Sequence, residues 1–426
     1  MGIVIKDALV ILPEGGEDRA GKHTIYIEGK NIASIDEEPQ GFSADTVIDG
    51  KDRLVIPGLI NSHSHTYMSV MRNCADDLSF TDWLFNTIDP IEGRMENEDA
   101  YWGSLLSQME MIKTGTTAFN DQQMHIHMTT KAVAESGMRA VIGRGLVGNE
   151  ADRNDRRIRE ALEELEDAAL TDRLSFRLNP HAPYSCQGDY LKMVVEIAKE
   201  KGLGIHIHLA EGQAESDNML KDHNCTPTEY LRDAGVFDVP VIAAHCIRVS
   251  DSDIAILKEK GVNVVTNPIS NAKLGNGVAP VPKLLAAGVN VCLGTDGAAS
   301  NNAQNMIREM SVEALIHKAV NGDPQCVGAK EIFKMATVNG AKALGLDDIT
   351  GTIEKGKRAD LAILRLDVPS MFPNNNPIAA LCYSANGSET DTVIIDGKIV
   401  MEHGEMKTID EERVYHEIKR ICDRII

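Results

Sequence analysis

The strongest constraint on the fold is a rhythm of alternating segments. Eight short, apolar, β-branched stretches recur along the middle of the chain: "LVIPGLINSH", "GTTAFND", "RAVIGRGL", "LSFRLNPHA", "LGIHIHLAE", "VIAAHC", "NVVTNPIS" and "NVCLGTD". Most are followed by an amphipathic run of helical period, such as "RNDRRIREALEELEDAAL" or "SDSDIAILKEKG". A strand that returns after each helix lies parallel to the one before it. Eight such units in series close into a (β/α)8 barrel more readily than they extend as an open sheet. The expected class is therefore α/β, with a TIM-like barrel over residues 59–349.

Both flanks follow a different pattern. Residues 1–58 carry "GIVIKDALVIL", "HTIYIEGKNIASID" and "DTVIDGKDRLVIP", short strands with turn punctuation. Residues 350–426 carry "GTIEKGKRADLAILRLD" and "TDTVIIDGKIVMEHGEM", then a helix over "DEERVYHEIKRICDRII". "IEGKNI" and "IDGKIV" read as hairpins turning at Gly-Lys. Two β-rich ends around a long βα region predict one small β-sandwich domain built from both termini.

Charge and cysteine usage narrow the partners. A net charge of −21 argues against a nucleic-acid backbone or an anionic membrane as partner, though not against a small anionic or zwitterionic substrate. No apolar run approaches the ~20 residues needed to cross a bilayer. "MGIVIKDALVILPEGG" lacks the basic start and cleavage site of a signal peptide. The eight cysteines (Cys74, Cys186, Cys225, Cys246, Cys292, Cys326, Cys382, Cys422) form no C-x-x-C pair, which fits reduced thiols and a cytoplasmic location.

Barrel enzymes work at the C-terminal ends of their strands, so polar residues ending an apolar strand are the candidates. Strand one ends in His63-Ser64-His65, and strand five carries His206-Ile207-His208 followed by Glu211. Strand six ends in His245, and strand eight in Thr295-Asp296-Gly297. His63 and His65 share a strand face because side chains alternate with period two, and both can reach one ion. Three imidazoles and a carboxylate suit a catalytic zinc or ferrous ion that keeps a position open for water. His206 and His208 also share a face; His208 lies nearer the rim and is preferred as the ligand. A carboxylate at Glu211, just past the strand, can touch both a water and a substrate nitrogen, as a proton shuttle must. Any one of these residues has a bland explanation in core packing or a solvated loop. Their common placement at strand ends does not. His125-Ile126-His127 repeats the spacing but falls at the start of a helix, where a surface or supporting role is expected.

Taken together, "PGLINSHSH", "HIHLAE", "AHC", "NPISNAKLGNG", "LGTDGAASNN" and "GTIEKGKRADLAIL" resemble the amidohydrolase superfamily over the whole chain, in its branch of nucleoside deaminases and chlorohydrolases. Within that branch the chain is most similar to the deaminases of S-adenosylhomocysteine, 5′-methylthioadenosine and 5′-deoxyadenosine. The resemblance implies a single divalent ion per subunit, zinc or alternatively iron, on His63, His65, His208 and Asp296. Dinuclear members use a lysine at the end of strand four, where this chain has "LSFRLNPHAPYSC" and no lysine. Catalytic roles follow for Glu211 as acid–base, His245 as stabiliser of the attacking oxygen, and Asp296 as acceptor of its proton. Substrate contacts follow for Glu92 at the ribose diol, Trp83 against the nucleoside, and Arg144, His181 and Ser300. The resemblance also implies a homo-oligomer. The same scaffold serves guanine, oxidised-purine and triazine hydrolases, and a non-catalytic descendant is the remaining alternative. "EADRNDRRIRE" offers Arg153, Arg156 and Arg157 for a 5′-carboxylate without choosing among them.

Overall fold

The computed structural model describes residues 2–426. Five strands open the chain: β1 (Gly2–Glu14), β2 (Glu17–Glu28), β3 (Asn31–Ile35), β4 (Thr46–Asp49) and β5 (Arg53–Pro57). The middle supplies β6 (Leu59–His65), β7 (Thr116–Gln123), β8 (Arg139–Leu146), β9 (Leu174–Pro180), β10 (Gly204–Leu209), β11 (Val241–His245), β12 (Asn263–Thr266), β13 (Asn290–Leu293) and the short β14 (Asp296–Gly297). The end returns β15 (Leu361–Arg365), β16 (Thr390–Ile395), β17 (Lys398–Glu402) and β18 (Glu405–Met406), then the helix Glu411–Ile425.

The middle strands form one parallel sheet in the order β13-β12-β11-β10-β9-β8-β7-β6-β14. β6, β7 and β8 are buried at every position, the signature of a parallel sheet covered on both faces. The sheet is curled. Asn290 of β13 pairs with Asn263 of β12, and a few residues later Asp296 of β14 pairs with Ser64 of β6. This curl brings His63, His65, His208, His245 and Asp296 to one rim.

The two flanks unite in a second, mixed sheet of order β18-β17-β16-β15-β5-β1-β2-β3, with β4 on β1. The join is antiparallel, Leu54 of β5 opposite Leu364 of β15. Both expected hairpins form. The first turns at Gly29-Lys30, as the sequence suggests, while the second turns one residue earlier, at Asp396-Gly397. Both residues of that second turn are left-handed, with φ of 52° and 72°, the geometry an Asp-Gly pair accommodates in a two-residue hairpin. The two tips abut: a Cβ at Gly397 would lie 2.0 Å from the Gly29 carbonyl oxygen.

A buried ion cluster pins the mixed sheet to the start of β8. Arg139 donates from Nε to Asp360 (2.9 Å) and lies 3.4 Å from Asp396, both of them buried. Removing one member of such a cluster typically costs about 3–5 kcal/mol, because the remaining charge stays buried without its partner. The site's framework is thus fixed from below by the second sheet. No helix among the described residues is long and apolar enough to cross a membrane.

Candidate metal centre and its surroundings

Each imidazole at the rim is held from behind through Nδ1. His65 Nδ1 lies 2.8 Å from the Gln122 carbonyl on β7, and His208 Nδ1 lies 2.8 Å from the His181 carbonyl. A carbonyl only accepts, so both rings carry their proton on Nδ1 and present a bare Nε2. Those two Nε2 atoms face each other at 3.3 Å. His63 Nδ1 meets His206 Nε2 at 2.9 Å, and His63 Nε2 is buried without a hydrogen-bond partner. Asp296 Oδ1 stands 3.4 Å from Nε2 of both His63 and His65. Converging lone pairs in a buried space repel each other unless a cation sits among them. The residues therefore fit a divalent ion.

The donor atoms of His63, His65 and His208 lie within 4.8 Å of one another, as do those of His63, His245 and Asp296. His245 is thus within ligand reach as well as beside Glu211, whose Oε2 is 3.9 Å from its Nε2. Its Nδ1 is 2.8 Å from Asn271 Oδ1. His245, Cys246 and Asp296 adopt left-handed φ values of 73°, 48° and 65°. Non-glycine residues pay roughly 1–3 kcal/mol each for such conformations, which persist where the surroundings over-determine them.

Charge within the site is sorted by burial and by neighbours. Burial pushes His63 and His181 down to about 4 and His208 well below the ordinary imidazole range, so all three are neutral near pH 7. Burial opposes ionisation of Asp296, but His63 and the other imidazoles outweigh it and hold that carboxyl well below its usual range. Ser270 (2.6 Å) and Ser300 (2.8 Å) donate to its Oδ2. Burial raises Glu211, whose Oε1 accepts from Asn276 at 3.1 Å. Burial likewise opposes a charged His245, yet Glu211 and Asp296 raise its pKa overall.

The remaining candidates each have defined partners. Trp83 is buried and donates from Nε1 to the Ala299 carbonyl at 3.2 Å, next to Ser300. His181 packs its ring on His208, centroids 4.8 Å apart, with Nδ1 2.9 Å from Ser185 Oγ. Glu92 is half-buried and accepts from Tyr67 Oη at 2.8 Å. Arg144 is buried and engaged with Glu160 at 2.9 Å. Among the three undecided arginines, Arg153 pairs with Glu200 (2.7 Å) and Arg156 with Glu160 (2.8 Å). Arg157 is half-buried and donates to the Gly145 carbonyl (3.3 Å), with no carboxylate partner among the described residues. Its charge is felt by both Glu92 and His181. The His125-His127 pair stays apart from the centre: His125 contacts Asn97 at 3.0 Å, and His127 contacts Asp167 at 2.9 Å.

A model of the amidohydrolase family matches residues 54–400, most of the chain. The chain belongs to the amidohydrolase family. Among relatives, a 5-methylthioadenosine/S-adenosylhomocysteine deaminase of Thermoanaerobacter pseudethanolicus is 45% identical across 100% of both chains. A 5′-deoxyadenosine deaminase of Methanocaldococcus jannaschii is 44% identical, covering 94% of this chain and 96% of its own. Among solved structures, an adenosine deaminase from Xanthomonas campestris with bound zinc superposes with a TM-score of 0.94 at 28% identity, covering 99% of this chain and 98% of that one. The resemblance read from the strand-end motifs therefore holds at family level.

Three buried glutamates brace this amidohydrolase site. Glu215 accepts from the backbone N–H groups of Ala210 (3.1 Å) and Glu211 (2.9 Å). Glu309 accepts from Asn301 (2.6 Å) and the Ile269 N–H (3.2 Å), tying both segments whose serines hold Asp296. Glu164 accepts from Gln123 at 2.6 Å, next to the carbonyl that orients His65. None was singled out from the sequence, where an isolated Glu in a helix pattern carries no signal.

Burial raises Glu215 and Glu164 to about 7 and Glu309 to about 8. The folded chain thus keeps protons that the unfolded chain releases near pH 4.5. Stability contributed by these groups falls as pH rises toward 8 and levels beyond it, each tenfold gain in proton affinity on folding being worth about 1.4 kcal/mol. His127 and His245, both raised, act in the same direction, whereas the depressed histidines act oppositely but only below pH ~6.5. The melting temperature of metal-stripped protein is expected to drop between pH ~6.5 and ~8.5. A flat or rising profile in calorimetry would contradict these assignments.

Proposed function

We propose that this amidohydrolase is a hydrolytic deaminase of adenine nucleosides, converting S-adenosylhomocysteine, 5′-methylthioadenosine, 5′-deoxyadenosine or adenosine to inosine-type products and ammonia. The convergence of His63, His65, His208 and Asp296 beside a protonatable Glu211 carries this reading. The full-length similarity to nucleoside deaminases supports the substrate class. In the same reading, residues 59–349 make a closed (β/α)8 barrel, and residues 1–58 and 350–426 a β-sandwich domain.

His63, His65, His208 and Asp296 would hold one divalent ion per subunit, and the zinc-bound relative favours zinc. Such an ion supplies Lewis acidity and brings the pKa of a water toward ~7. The chain's own groups do the rest. Asp296, kept ionised by its imidazole neighbours and fixed by Ser270 and Ser300, accepts the proton of the attacking water. Glu211 donates to ring N1 as C6 becomes tetrahedral; the proton held by Asp296 passes to the leaving amine, and the C6 hydroxyl proton returns to Glu211 as ammonia departs and the C6 carbonyl forms. His245, whose pKa Glu211 and Asp296 raise, would steady the negative charge of the attacking oxygen. His181 and Trp83 pack against the nucleoside, Glu92 accepts from the ribose hydroxyls, and Arg144, anchored by Glu160, and Ser300 complete the substrate contacts.

For the 5′-substituent, Arg157 is the arginine free to meet a carboxylate, since Arg153 and Arg156 already have acidic partners. Arg157→Met is expected to lower kcat/KM for S-adenosylhomocysteine by about 10–100-fold, the worth of a charge-assisted hydrogen bond. Turnover of 5′-methylthioadenosine, which has no carboxylate, is expected to stay within about twofold. Equal losses on both would remove Arg157 from substrate recognition. The decisive assay for the function itself follows ammonia release from these nucleosides, guanine, 8-oxoguanine and a chlorotriazine. Turnover confined to the last three would overturn the nucleoside assignment.

A further inference from the structure

Tyr67 has no role in the chemistry proposed for the site, yet it touches the residue placed at the ribose. It lies two positions after His65 in a short 3-10 helix, Thr66–Met71, and is 2% exposed. Its hydroxyl donates to Glu92 Oε2 at 2.8 Å. This short helix is fixed against the helix Asn97–Lys113. Ser107 Oγ donates to the Thr66 carbonyl (2.7 Å), and Ser69 Oγ donates to the Gly103 carbonyl (2.6 Å). A Cβ at Gly103 would stand 2.4 Å from the Tyr67 carbonyl oxygen, so only glycine allows this approach. The phenol is therefore delivered by a rigid backbone.

Glu92 is the unusual partner. Among the described residues no cation stands within ion-pair distance of it, although the charge of Arg157 reaches it, and Tyr67 is its one hydrogen-bond donor. Burial raises its carboxyl, and the phenol opposes that rise. Oε1 remains open, and Oε2 keeps a second lone pair. A carboxylate tethered on one side and open on the other suits a ligand that brings two hydroxyl donors.

We propose that Tyr67 is a specificity-determining positioning residue, whose hydroxyl holds Glu92 in the orientation that accepts both hydroxyls of a ribose diol. This rests on the nucleoside-deaminase reading. The terminal torsion of a glutamate is broad and poorly defined, so an untethered Glu92 would spread over orientations of which few meet both hydroxyls. The phenol removes that freedom before substrate arrives.

The test compares adenosine with 2′,3′-dideoxyadenosine on zinc-loaded wild type, Tyr67→Phe, Glu92→Gln and the double variant. Tyr67→Phe is expected to lower kcat/KM for adenosine about tenfold, mainly through KM, and to change dideoxyadenosine less than about twofold. Its KM for adenosine should also rise at a higher pH than that of wild type as pH is lowered, since the lost phenol no longer favours the ionised carboxyl. In the Glu92→Gln background, Tyr67→Phe should add little to the loss of diol preference. Equal losses on both nucleosides, or full additivity with Glu92→Gln, would assign Tyr67 to packing alone and overturn the proposal. An unaltered diol preference in Tyr67→Phe would do the same while leaving the deaminase reading intact. Wild type inert to both nucleosides would overturn that reading, and the proposal with it. If Tyr67→Phe does not fold, Glu92→Gln decides: undiminished preference for the diol overturns the proposal, and its loss supports it.

Discussion

Replacing Glu211 with Gln is expected to slow turnover by about 10²–10⁴-fold while leaving bound metal and KM nearly unchanged. Three features of the structure separate these quantities. Glu211 is not among the atoms that converge on the ion; its Oε2 faces His245 at 3.9 Å and its Oε1 accepts from Asn276 at 3.1 Å. Glutamine keeps the length of the side chain and the acceptor toward Asn276, so packing survives. An amide, however, cannot give up and regain a proton within one turnover, which is the work assigned to this position. The measurement is kcat by ammonia release, alongside metal content of the same preparation. Full turnover in Glu211→Gln would sink the acid–base assignment, and loss of metal would move Glu211 into the ligand set. A fall in kcat that tracks a rise in KM would instead point to ground-state binding of the base.

The part of this molecule that the sequence made legible is local and periodic. β8 occupies the run "RAVIGRGL" residue for residue, because its apolar stretch, Ala140 to Ile142, is what a strand buried on both faces requires. The rim histidines stood out for the same reason: a polar side chain ending such a run needs an explanation. What stayed hidden depends on neighbours distant in the chain. His206 and His208 lie on one face by alternation, and only depth separates them. His206 ends up behind His63, at 2.9 Å, while His208 faces His65. Arg157 differs from Arg156 by one step of about 100° around a helix, enough to turn one toward Glu160 and leave the other without an acidic partner. Glu309 and Glu164 were invisible because their partners come from distant segments, Gln123 lying 41 residues before Glu164. Glu309 likewise reaches Ile269 across 40 residues.

His208→Ala is expected to abolish turnover and also to erase the difference in stability between metal-loaded and metal-stripped protein. In wild type that difference should be substantial. A ligand that binds only the folded state adds about 2.7 kcal/mol at a hundredfold excess over its Kd. The stripped protein, moreover, confines two bare Nε2 atoms at 3.3 Å, with both ring protons committed to carbonyls. Removing the His208 ring relieves that lone-pair repulsion, but it leaves a cavity and frees the His181 carbonyl of its side-chain donor. These two effects oppose each other, so stripped His208→Ala should melt close to stripped wild type. The loaded proteins should then diverge strongly. A variant destabilised equally with and without metal would mean that His208 serves packing and not the ion. One that keeps both its metal and the full metal-dependent increment would mean that His63, His245 and Asp296, the other converging group, suffice to hold the ion. Comparing melting curves with and without chelator therefore decides which of the two overlapping ligand sets this rim uses, independently of any assay of turnover.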